Sequence, residues 1–215
     1  AKNTVFLFVC IISVFVLNFI IRKNSLSDDN TYGILFYILL GGFFPYTYHN
    51  GGVFISNFIL LFAFRRIYSL RTSLAPKEKI FDSAFWIGVA SMFYLWSFAY
   101  LLLLYAAILV FRKATWRNFL IPLIGLGTPL FLAYSYFLAF DDVDRYLNIW
   151  TWDYKFDLSV YKSSDFLVPL IVIGLMFLFA IFPTTRKSLL AKIDFKSTWQ
   201  ILLLHIFLSL MVALV

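Results

Sequence analysis

An all-α bundle of membrane-spanning helices is the fold class this sequence predicts, and three observations carry that prediction. Residues 83–111, 118–140 and 166–185 contain no charged side chain. Hydrocarbon about 30 Å thick is crossed by about 20 residues rising 1.5 Å each, and only a helix or closed barrel satisfies its own backbone there. Apolar residues make up 62% of the 215-residue chain and charged residues 13%, roughly half the charged fraction of a soluble domain. Lys and Arg collect in short segments between the apolar runs, among them Arg22-Lys23, Arg65-Arg66 and Arg112-Lys113, the arrangement that sets membrane topology.

Taken in order, the first span is expected over 5–21, closed by Arg22-Lys23. Ser27, Asp28, Asp29 and Asn30 follow, and such side chains cap the free N–H groups of a following helix. A short second span over 31–44 is stopped by Pro45, which cannot donate a helical hydrogen bond. A tight turn through Gly51-Gly52 leads to a third span, 53–64, ended by Arg65-Arg66. As one helix, 83–111 would run about 44 Å and place the basic segments 65–79 and 112–117 on opposite sides. Two crossings that turn near residues 94–97 keep both segments on one side, so a fourth and a fifth span are expected. The sixth covers 118–140, with Pro122 and Pro129 as kink points. Spans over 166–182 and 199–215 bring the expected total to about eight. Residues 1–215 are read as a single transmembrane domain. The first residue, Ala1, and the apolar run reaching Val215 lead to the expectation that it is truncated at both ends.

With this layout, 14 of the 18 Lys and Arg residues fall on one side and Lys2, Arg145, Lys155 and Lys162 on the other. The richer side is expected to be cytoplasmic, and the chain a multi-pass protein of a bacterial inner membrane. Residues 141–165 then form a periplasmic acidic and aromatic loop. The same placement accounts for the net charge of +7, so nucleic acid is not an expected partner. Membrane lipids are, together with other membrane subunits. The single Cys10 excludes a disulfide framework or a thiolate metal site within this chain. The first apolar stretch lacks a small-residue cleavage site and runs into Arg22-Lys23, unlike a signal peptide.

The block Phe81-Asp82-Ser-Ala-Phe-Trp-Ile-Gly-Val-Ala-Ser91, the basic loop with Trp116-Arg117, and Ile121-Pro-Leu-Ile-Gly-Leu-Gly-Thr-Pro129 resemble an uncharacterised family of Bacteroidota inner-membrane proteins, known as a domain of unknown function. Leu17-Asn18, Lys23-Asn24-Ser-Leu26 and Phe44-Pro45 are similar to its early segment. The resemblance covers most of the chain and implies an inner-membrane location, without an activity to carry over; members of that family are longer than this chain. Residues 83–129 are also similar, more weakly, to the middle spans of C-type glycosyltransferases, which take sugars from polyprenyl-phosphate donors. Those enzymes carry catalytic acids in their first outer loop. Here the early acids Asp28 and Asp29 fall on the cytoplasmic side.

Candidate binding residues lie in the outer segments. Asp141, Asp142 and Asp144 have the spacing of oxygen ligands for a divalent cation. Beside them Trp150 and Trp152 offer indole faces that would suit a sugar ring. A solvated acidic loop with interfacial aromatics has the same composition, and that simpler account is the expectation. His49, in the turn before the third span, has a pKa suited to acid–base work but no sequence neighbour to orient it. His205, Asn18 and Asn57 fall inside spans, where interhelical hydrogen bonds are expected for them. Asp82, at the start of the fourth span, suits the positive end of a helix dipole. No phosphate-cradling loop, zinc signature or Ser-His-Asp grouping is present in the sequence, and neither a cofactor nor a metal is expected. The leading expectation is a non-catalytic subunit or scaffold of an envelope complex serving secretion, motility or glycan export. The alternatives are a polyprenyl-phosphate-dependent glycosyltransferase or a relative that has lost activity, and a transporter of a neutral or lipidic substrate. The short spans 31–44, 53–64 and 83–93, rich in Gly, Ala and Ser, are expected to pack against other protein, either further parts of this chain or a separate subunit.

Overall fold

The computed structural model describes residues 2–24, 26, 31–43, 50–151, 164–190 and 193–213. Among these, every regular element is helical: α1 (Lys2–Lys23), α2 (Tyr32–Phe43), α3 (Gly51–Ser69), α4 (Pro76–Ser91), a 3₁₀ turn (Leu95–Ala99), α5 (Tyr100–Val110), α6 (Trp116–Ala139), α7 (Val143–Ile149), α8 (Ser164–Leu190) and α9 (Ile193–Ala213). Their ends follow local chemistry. The Asn50 side chain accepts from the Val53 N–H at 3.3 Å to start α3. Thr115 does the same for Asn118 at the start of α6, and Pro76 occupies the first turn of α4, where its missing N–H costs nothing.

Among the described residues, four stretches are long and apolar enough to cross a membrane: Phe6–Lys23, Gly51–Ser69, Trp116–Ala139 and Lys196–Ala213. Three shorter apolar stretches accompany them, Tyr32–Gly42, Leu95–Val110 and Leu167–Phe179. The expected total of about eight spans is therefore not supported. For α2 the reason is length. At 12 residues, α2 rises about 18 Å, well short of the hydrocarbon thickness. Residues 83–111 are divided between α4 and α5, and the first half of α4 carries Lys77, Glu78, Lys79 and Asp82.

The division within 83–111 occurs where it was expected. Helix α4 closes on Met92, with the Phe93 and Tyr94 N–H groups both donating to the Ala90 carbonyl, and the 3₁₀ turn follows. The chain returns: at the far end of α5, the Lys113 ammonium donates to Ser73 Oγ at 2.8 Å. The basic segments before α4 and after α5 therefore share one end of the bundle. At the opposite end the turn rests on the start of α3. A Cβ on Gly52 would lie 2.8 Å from the Phe93 carbonyl oxygen.

The core forms where α3, α4, α5, α6 and α9 meet. Leu60, Ala63 and Ile67 of α3, Ile80, Ala84 and Ile87 of α4, and Leu103, Leu104 and Ile108 of α5 are buried, and Ile201 and Leu208 of α9 join them. Helices α4 and α6 approach through small residues. A Cβ on Gly125 would meet the Phe81 carbonyl oxygen at 2.7 Å and Ala84 Cβ at 2.9 Å, and one on Gly88 would meet Pro129 Cγ at 2.7 Å. Thus Ser83, Ala84, Gly88, Ala90 and Ser91 are buried within this chain. Proline at positions 122 and 129 removes two backbone donors within α6 without ending the helix. The outer faces are apolar and open, as at Phe15, Leu102, Ile124 and Phe131, which suits contact with lipid.

Candidate functional site

The end of the bundle formed by the C-termini of α6 and α7 carries Asp141, Asp142, Asp144 and Trp150. Asp141 has a positive φ of 56°. Its N–H donates to Leu138 O at 3.3 Å, and the Asp142 N–H donates to Phe137 O at 2.9 Å. This double closure is the Schellman motif, which uses up two free carbonyls at a helix C-terminus. Asp142 lies 3.7 Å from the Arg145 guanidinium, with both side chains largely accessible to water. Asp144 sits in the first turn of α7, where a carboxylate meets the positive end of the helix dipole. Among the described residues, no group of three His, Cys, Asp or Glu side chains is placed to hold a metal ion.

Trp150 belongs to an aromatic cluster. Its ring lies 5.7 Å from Phe98 and 5.9 Å from Tyr146. Tyr146 in turn contacts Tyr134 and Phe137 and donates to the Leu130 carbonyl at 3.3 Å. These contacts seat α7 against α6 and the 3₁₀ turn. The structure thus brings the three aspartates and Trp150 to one end, with the indole packed in the aromatic cluster. His49 and Trp152 lie outside the described residues.

Within the bundle, several polar side chains are paired across helices. His205 Nδ1 of α9 and the Tyr68 hydroxyl of α3 share a 2.8 Å hydrogen bond, the interhelical bond expected for His205. Phe64 packs on the imidazole at 4.2 Å, and the Tyr100 hydroxyl meets Ser209 Oγ at 3.0 Å. Ser56 donates to the Ala90 carbonyl at 3.0 Å. Its one hydroxyl proton is then engaged, so Ser97 supplies the proton of the 2.7 Å Ser56–Ser97 bond. Sequence reasoning missed Tyr68, Tyr100 and Ser97. The available signal was that a His within a span requires a partner, but nothing local names a tyrosine 137 positions away. For Asn18 and Asn57 the expected interhelical bonds are not found among the described residues, and Asn57 is exposed on α3.

The basic end is built from α1, α3, α4 and the segment before α6. Arg66 and Asp82 form an ion pair at 2.7 Å, a contact that adds to the helix-dipole role expected for Asp82. Lys79 is buried and donates to Ser69 O at 2.8 Å, Thr72 Oγ1 at 2.6 Å and Thr72 O at 3.4 Å, tying the α3–α4 loop to its helix. Burial, followed by the nearby positive charges of Arg66, Lys113 and Lys23, holds its pKa below the ordinary 10.5. Two further cations, Lys23 and Arg65, lie over the Phe19 ring at 5.3 and 5.0 Å. Comparison with known proteins finds no matching family model, no matching curated protein and no matching solved structure.

Proposed function

We propose that this chain is a multi-pass inner-membrane protein that serves as a non-catalytic subunit or scaffold of a bacterial envelope complex, with its basic end in the cytoplasm. The observation that carries this reading is the pairing of polar side chains between helices. Tyr68 with His205, Tyr100 with Ser209, and Ser56 with Ser97 and Ala90 hold α3, α4, α5 and α9 in register. Groups engaged in this way fix helix geometry, the property a scaffold needs. The asymmetry of basic residues supports the orientation. The resemblance of residues 81–129 to Bacteroidota inner-membrane proteins supports the location.

The test is extraction of the full-length protein in native lipid particles, followed by quantitative mass spectrometry. One or more membrane proteins at fixed stoichiometry, retained after a high-salt wash, is the expected result. Turnover of a polyprenyl-phosphate sugar by the isolated chain would overturn the proposal in favour of a glycosyltransferase. Uptake of a neutral solute by proteoliposomes containing the chain alone would overturn it in favour of a transporter.

A further inference from the structure

We propose that Lys23 and Arg65 bind the phosphate of an anionic phospholipid whose acyl chain lies along α1. The two cations come from different helices and converge on one ring, with the Lys23 ammonium 5.3 Å and the Arg65 guanidinium 5.0 Å from the centre of Phe19. They are therefore closer to each other than the sum of those distances, and like charges so placed repel. Their neighbours are occupied: Arg66 by Asp82, Lys79 by Ser69 and Thr72, and Lys113 by Ser73. Among the described residues, Lys23 and Arg65 have no carboxylate of their own. An anion between them relieves the repulsion and accepts from both sets of donors.

The surroundings select a lipid as the source of that anion. Phe19 is 44% exposed, so the site opens outward from the bundle. Both cations stand at the basic ends of stretches long and apolar enough to cross the membrane, Phe6–Lys23 and Gly51–Ser69, which places them at headgroup depth. Phe19, Phe15, Ile11 and Phe8 are all exposed, and their spacing of three and four residues aligns them on one face of α1. A phosphate held at Lys23 and Arg65 would thus have a continuous apolar track for its acyl chain. A free phosphate ion would have no use for that track.

The experiment is native mass spectrometry of the full chain in a neutral detergent, titrated with phosphatidylglycerol or phosphatidylcholine. One phosphatidylglycerol is expected to be retained preferentially. Lys23→Gln and Arg65→Gln should each weaken its binding about fivefold, the change equivalent to about 1 kcal/mol per interfacial cation. Arg117→Gln, which removes a cation at the same end that lies over Trp116, should leave it unchanged. Exchanging the pair to Lys23→Arg with Arg65→Lys preserves both charges and should retain the lipid, and this keeps the test decisive if a neutral variant folds poorly. Equal affinity for the two lipids would overturn the proposal. So would equal losses from Arg117→Gln and Arg65→Gln, or loss of the lipid in the charge-preserving exchange. Displacement of phosphatidylglycerol by inorganic phosphate at equal concentration would identify the site as one for a free anion and overturn the lipid assignment.

Discussion

Arg112 and Asp141 hold left-handed backbone, each with φ of 56°, at the position just beyond a helix where glycine is the usual occupant. At Arg112 the closure repeats that of Asp141: its N–H donates to Leu109 O at 3.1 Å and the Lys113 N–H to Ile108 O at 2.8 Å. An L-residue pays about 1–2 kcal/mol for this conformation, offset in part by the greater flexibility of an unfolded glycine chain. Asp141→Gly is therefore expected to raise stability by about 0.5–1 kcal/mol, measured by denaturant unfolding in mild detergent. Neither helix end was legible from a glycine signal, because neither position carries one. Lys79 supplies a pH dependence. Its folded pKa lies below the ordinary 10.5, so between the two values the unfolded chain binds more protons and stability rises with pH. The difference in stability between the native chain and Lys79→Gln should change with pH over that window, below pH 10, where the tyrosines remain protonated in both states. A difference independent of pH would show that burial and the surrounding cations do not act on Lys79.

Helix contacts separate residues that look alike in the sequence. Gly125 and Gly127 stand two positions apart in α6, hence about 200° apart around its axis. A methyl group at Gly125 would press on the backbone of α4 at Phe81, whereas nothing lies within 4 Å of one at Gly127. Gly125→Ala should destabilise by about 1–3 kcal/mol, the usual range for overpacking. Gly127→Ala should be neutral or stabilise by up to about 1 kcal/mol through helix propensity. Thermal unfolding of the two variants side by side checks both expectations, and equal effects would contradict the α4–α6 approach. Tyr68→Phe removes the hydroxyl bonded to His205 while keeping the ring. Interhelical bonds of this kind average about 0.6 kcal/mol and reach about 1.7, so a loss within that range is expected by the same measurement. The need of His205 for a partner was legible in the sequence. The identity of that partner depended on α9 lying beside α3, a relation between distant segments.

For the whole molecule, Lys113 reaching Ser73 places two basic segments at one end, as the proposed topology requires. Single cysteines introduced in a Cys10→Ala background test the orientation. A membrane-impermeant thiol reagent added from the periplasm should label Asn50→Cys and Thr151→Cys and should fail to label Ser73→Cys. Labelling of Ser73→Cys from that side would reverse the assignment. The all-helical character, the apolar outer faces and the turn within 83–111 followed from the sequence itself. Each depends on composition or on spacing within a single segment, and the length of an uncharged run and the break it requires are local quantities. Only the tertiary structure decided which apolar runs form full-length helices, which small residues face α6, and that Tyr68 meets His205. It also showed that Ser56, Ser83, Ala84, Gly88, Ala90 and Ser91 are buried within this chain, whereas Asn57 is exposed. These outcomes depend on how helices far apart in the chain rotate and approach one another, and a pattern of hydrophobicity along one segment carries no information about the rotation of its neighbour.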